Sequence, residues 1–326
     1  MVGMLTSFAR ALSQSEPSLS TTAAVPVAMQ VCVPAPLWDW PTDSIGSCSS
    51  AFYEFCSWIP KQPTNWGPFQ PSAHRLSESY QLFLSALQPP PQLDSQVAEA
   101  RNALAAEANL TKVLYPNGPM KMPAWVITQS AQAFSDSNAG RPGLGETIIV
   151  DLSGNDDNSN SGQTLFSAVQ RDAAKVPVRL GAGEVQKLEL RADAWGDIPL
   201  HPGAWFNASL VSLLSNGPFA GPFNRDQFFG NQGILRGLLT GLRVGLNVSV
   251  VATMSDAAAA EFRKAAPAGS TIMVAGLGFA AEQVNVTEKD GITKLTLPSS
   301  AALSPSGKRV AANTPVIVGV DVASLP

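Results

Sequence analysis

Residues 233–254, GILRGLLTGLRVGLNVSVVATM, decide how the rest of the chain is read. Glycines recur every four positions, at Gly233, Gly237, Gly241 and Gly245, a spacing that lets one helix approach another closely. The second half alternates instead. Leu242, Val244, Leu246, Val248, Val250 and Ala252 share one parity, while Arg243, Gly245, Asn247, Ser249 and Thr253 share the other. Period two over a dozen residues marks a half-buried strand. Side-chain chemistry agrees: Val244, Val248, Val250, Val251 and Thr253 are β-branched, and Asn247 and Ser249 are poor in helix interiors. Each glycine would cost a helix about 1 kcal/mol relative to alanine. The expectation is a glycine-punctuated approach over 233–241, then one central strand over 242–253. Its almost uncharged polar face is the place to look for an interface.

Downstream and upstream of this stretch, from residue 146, the pattern is largely β. Residues 147–152 form a β-branched run, and 185–192 puts Leu188, Leu190 and Ala192 on one face. Residues 271–274 are a short strand, and 284–297 read as a hairpin turning at Glu288-Lys289-Asp290-Gly291. Val316, Val318, Val320 and Val322 alternate in a closing strand. A helix over about 256–264 starts at Ser255 or Asp256 and ends at Arg263 and Lys264, as the helix dipole prefers. Residues 164–175 and 204–214 fit helix and strand equally.

The N-terminal half has a different texture. Trp38, Trp40, Phe52, Tyr53, Phe55, Trp58, Trp66 and Phe69 crowd a segment broken by Pro41, Pro60, Pro63 and Pro68, so an irregular aromatic layer is expected. A helix from about Ser72 carries Leu76, Tyr80, Phe83, Leu84 and Leu87 on one face; a second, after Asp94 or Ser95, runs to about Lys112. Residues 124–135 suggest another short helix. The tripeptide Gly-Pro-Phe recurs at 67–69, 217–219 and 221–223 and reads as a turn followed by an aromatic plug. The fold class expected is α+β: a flexible leader (1–30), an aromatic-rich segment with a helical pair (31–140), and a β-rich domain (141–326) built as a sandwich or mixed sheet.

Composition narrows the function. Only 14% of residues are charged, against roughly 25% in typical soluble domains. The basic residues are scattered without a run and net charge is −4, so a nucleic-acid partner, which needs a basic face, is not expected. Cys32, Cys48 and Cys56 form no CxxC pair, and an odd count leaves at least one thiol unbridged. The N-terminus lacks a basic segment followed by an unbroken apolar one, which makes a cytoplasmic chain the default expectation. The sequons at Asn109, Asn207, Asn247 and Asn285 then read as chance.

Catalytic and metal motifs are sparse. With His74 and His201 as the only histidines, neither near a cysteine, no multi-histidine metal centre is expected, and no cofactor either. A calcium loop starting at Asn155 would put Asn160 and Phe166 where glycine and glutamate belong. His201, with Asp197 four residues before it, is the candidate catalytic pair. Trp38, Asp39 and Trp40, with Trp58 and Trp66, are the candidate ligand platform, since indoles stack on sugar rings and other flat ligands. The competing expectation buries these indoles in the core.

Between 198 and 254 only Arg225, Asp226, Arg236 and Arg243 are charged, which points to deep core or to an interface. The first functional expectation is therefore a non-catalytic binding or self-assembling protein, a homo-oligomer through that face, with a glycan, lipid or protein as ligand. The second is a membrane-active, pore-forming protein: a 12-residue strand can span a bilayer, although Arg236 and Arg243 would each cost roughly 2.5–3.5 kcal/mol at its centre. The third is a hydrolase using His201.

Overall fold

A computed structural model describes residues 4–14, 27–32, 35, 47–138, 145, 147–152, 166–170, 178–179 and 185–326. The protein is α+β, with several open sheets and helices packed on them. A six-stranded sheet runs through the middle. Its spatial order is Gly67–Pro68, Val27–Val31, Pro315–Ser324, Gly237–Leu246, Ala194–Pro202 and Trp125–Ile127. The inner pairings are antiparallel, with Arg243 opposite both Asp197 and Gly319, and Gly241 opposite both Pro199 and Asp321.

This sheet separates two apolar cores. From Ala194–Pro202, Ala194, Ile198 and Leu200 enter the first core, whereas Trp195, of the other parity, enters the second. Leu242, Val244 and Leu246 likewise join the first core, as do Ile317, Val320 and Val322. Met29, Val31, Val316 and Val318 join the second. Side chains of opposite parity point to opposite faces of a strand, and in Pro315–Ser324 a register shift opposite Arg243 and Val244 turns Val316 and Val318 to the second core and Val320 and Val322 to the first, so the sheet is apolar on both sides and both sides are covered.

Against the first face lie the helices Ser50–Ser57, Leu76–Ala86 and Asp94–Ala105, with Phe83 meeting Phe228 and Phe229 edge to face at 5.5 and 5.4 Å. Phe219, from one Gly-Pro-Phe, stacks on Phe228 at 5.3 Å, and Phe223, from the next, lies 5.9 Å from the same ring. Phe69, from the first, meets Phe55 at 5.5 Å. The aromatic plugs are real, and two share a socket. Against the second face lie two five-stranded sheets and the helices Met4–Gln14 and Asp256–Ala265, contributing Val250, Leu188, Phe279 and Phe262 among others.

The expected single strand over 242–253 is two strands in two sheets. Gly237–Leu246 pairs within the six-stranded sheet, while Ser249–Ser255 pairs with Val185–Arg191 and Ile292–Leu297 in a five-stranded one. The break is Asn247, at φ 51°, a left-handed conformation that asparagine tolerates better than most residues. Its side-chain Nδ2 donates to Asp193 Oδ2 (2.7 Å) and Asn313 Oδ1 (3.0 Å), and its Oδ1 accepts from the Asn313 N–H (2.9 Å). Apolar alternation survives the break: Leu242, Val244 and Leu246 feed one core, Val248, Val250, Ala252 and Met254 the other. The first strand has no solvent-facing polar side either, since Arg243 is 1% exposed.

Other boundaries shift locally. Residues Pro71–Arg75 are a strand, and the helix expected from Ser72 is Leu76–Ala86. The next helix ends at Ala105 because the chain turns into the hairpin Leu110–Tyr115/Gly118–Pro123. In place of a helix over 124–135 there is a strand, Trp125–Ile127, then a helix, Ala131–Asn138. The hairpin Asn285–Lys289/Ile292–Leu297 forms as expected, with Asp290 and Gly291 both at positive φ (53° and 77°), as a two-residue turn of this hand requires. No helix among the described residues is long and apolar enough to cross a membrane.

Candidate functional site

The candidate catalytic pair is not assembled. Asp197 and His201 share a face of the strand Ala194–Pro202, but four residues of extended chain put about 13 Å between them. His201 is exposed. Asp197 instead pairs across the sheet: Arg243 Nη1 donates to its Oδ2 at 2.5 Å. The guanidinium of Arg243 is buried, and such a charge is costly unless matched. Asp321, on the next strand and one pleat along, completes the group. Its carboxylate leans over Gly241, where a Cβ would meet Asp321 Oδ2 at 2.8 Å. Burial pushes the Asp321 carboxyl up to about 6; the Asp197 charge adds to the rise and Arg243 partly opposes it. Two carboxylates and one guanidinium thus occupy the second-core face of the sheet, beside Trp195.

The candidate tryptophan platform is split. Trp38, Asp39 and Trp40 lie outside the described residues. Trp58 packs against the first core and Trp66 against the second, so the six-stranded sheet lies between them. Trp58 also carries the Arg75 guanidinium over its ring at 5.7 Å, and Arg75 Nε is paired with Glu54 Oε2 at 2.8 Å. That cation–π contact occupies one face of the indole. Cys32 and Cys56 are buried, and burial pushes the Cys32 thiol further up, away from the reactive thiolate. Among the described residues no three potential metal ligands cluster.

Several hollows of ligand size lie elsewhere among the described residues, and one of them is rich in hydrogen-bonding groups. A cleft of about 480 Å³ opens where the end of the closing strand meets two loops. One wall is the 61–65 loop, with Lys61, Thr64 and Asn65; the other is 229–232, with Arg236 behind it and Ser324 on the floor. The first wall is pinned from inside. Gln30, 2% exposed, donates through Nε2 to the carbonyls of Gln62 (2.7 Å) and Asn65 (2.9 Å). The Lys61 N–H donates to the Gln70 carbonyl at 2.7 Å. The second wall follows the helix Arg225–Phe229, whose start is closed by a reciprocal Asn224–Gln227 capping box. Ligand sites favour such preformed hollows with a few convergent polar groups. The lining is amide, hydroxyl and basic; none of it is carboxylate, imidazole or thiol.

None of the cleft residues stood out by motif. The one available signal was Arg236, the single charge between Asp226 and Arg243 in an otherwise uncharged run. Comparison of the chain with protein-family models, with curated proteins and with solved structures found no match.

Proposed function

We propose that the protein works by binding a ligand rather than by breaking bonds, and that the cleft between the 61–65 and 229–232 loops is where the ligand sits. The observation that carries this reading is the cleft's lining: many hydrogen-bonding groups on pinned walls, with no pair of groups suited to general acid–base work. A glycan, a lipid headgroup or a peptide would each find donors and acceptors there.

The test is a thermal-shift panel on the wild type and on Thr64→Trp, which fills the cleft from an exposed loop position. A ligand at a hundred times its Kd stabilises by about 2.7 kcal/mol. The expected result is at least one ligand class that raises Tm in the wild type and not in the variant. Shifts that persist unchanged in Thr64→Trp would place the ligand elsewhere and count against the reading.

One observation favours a second reading, a hydrolase. Asp321, raised to about 6, stands near the Asp197 carboxylate, and a carboxyl raised toward neutrality beside a second carboxylate is a familiar setting for a general acid. On this reading the acid–base pair would be Asp197 and Asp321 rather than His201 and Asp197. An activity lost in Asp321→Asn and kept in Thr64→Trp would favour it over the cleft.

A further inference from the structure

Arg236 is the unusual group in the cleft. Its residue is 7% exposed, yet no carboxylate among the described residues lies within ion-pair distance of it. Nε donates to the Pro60 carbonyl at 3.3 Å and Nη1 to the Asn231 carbonyl. A guanidinium has five N–H donors in a planar fork, so Nη2 and the second N–H of Nη1 have no partner among the described residues. Burial without a compensating negative charge lowers the proton affinity of Arg236. Buried cations are ordinarily matched by an anion.

The rest of the lining is complementary to the missing charge. Lys61 supplies a second cation at the mouth. Ser324 Oγ is buried without a hydrogen-bond partner. The carbonyls of Gln62 and Asn65 are turned inward to Gln30, so they do not present negative dipoles to a guest. Resting on the binding reading above, we infer that the cleft holds an oxyanion, a phosphate or carboxylate group of a small ligand, bound in the fork of Arg236 with Lys61 closing over it. Paired N–H donors in one plane match the two oxygens of either group.

The test is calorimetric titration at constant ionic strength with inorganic phosphate, with acetate, and with chloride as control. The wild type is compared with Arg236→Lys, which keeps the charge and loses the fork, and with Lys61→Gln. The expected result is one-site binding of phosphate or acetate, whichever arm responds naming the source, with no response to chloride. Arg236→Lys should weaken it about tenfold, the loss expected when a charge-assisted hydrogen bond goes, and Lys61→Gln about threefold or more. Lys61 is exposed, so that variant keeps the test decisive should Arg236→Lys not fold. Two results overturn the inference: no oxyanion binding by the wild type, or binding unchanged in both variants. In the first case, a neutral ligand lost in Thr64→Trp would leave the binding reading intact while removing the oxyanion from it.

Discussion

Asp321 shows what a single buried group imposes on the molecule. Folded, its carboxyl keeps its proton up to about pH 6; unfolded, it releases it near the ordinary 3.8. The folded state therefore binds the extra proton, and the stability that Asp321 contributes is full below the unfolded value, falls as pH rises from about 4 to 6, and stays lost above. Asp321→Asn, neutral throughout, should remove that slope and gain on the order of 2 kcal/mol at pH 7. Urea unfolding of both proteins from pH 4 to 8 measures it, and parallel curves would contradict it. Its neighbour behaves oppositely. Asp197→Ala removes one carboxylate to which Arg243, 1% exposed, donates, and removing one member of a buried ion pair costs about 3–5 kcal/mol. A loss in urea-unfolding stability below about 1 kcal/mol would mean that the pair is not what holds Arg243 in the sheet. Neither role was legible in sequence. Arg243 fell on the polar parity, which suggests solvent, but its partner is 46 residues away on another strand, and only the register of the sheet joins them.

At the scale of elements, the stretch that set the reading was half transparent. Alternation marked which side chains are buried, and Leu242, Val244, Leu246, Val248, Val250, Ala252 and Met254 are all buried. It could not say into what. A strand that changes sheets through one left-handed residue keeps its apolar parity on both sides of the turn, so the pattern runs on unbroken through Asn247. The four-residue glycine spacing has a strand reading for a related reason. Four is an even number, so Gly241 and Gly245 also share a face of a strand, where the Trp195 ring lies against Gly245 and Asp321 against Gly241. At Asn247, valine would meet both a left-handed backbone and the loss of three hydrogen bonds. Asn247→Val should therefore cost about 2–4 kcal/mol, and more than Asn247→Gly, which keeps the backbone conformation free. Equal unfolding midpoints for the two variants would show that the turn carries no conformational demand.

For the whole molecule, the α+β class was readable from the succession of helical and alternating patterns, while the layering was not. The first core joins Tyr80, Phe83 and Trp125 to Leu242 and Val320, and the sheet that closes it also floors the second core. Trp58 and Trp66, neighbours in sequence, end on opposite sides of that sheet, whose edge strand, Gly67–Pro68, follows directly after Trp66. A shared sheet should make the two cores unfold together. Fluorescence of Trp205, in the first core, and Trp195, in the second, followed in single-tryptophan variants, should give coincident urea transitions. Separated midpoints would show instead that the two cores unfold independently. The most direct measurement of what the molecule does is amide hydrogen exchange with a saturating ligand found in the thermal-shift panel. Slower exchange confined to 61–65 and 229–236 is the expected result; protection centred on Asp197 and Asp321, with those loops unchanged, would contradict binding in the cleft.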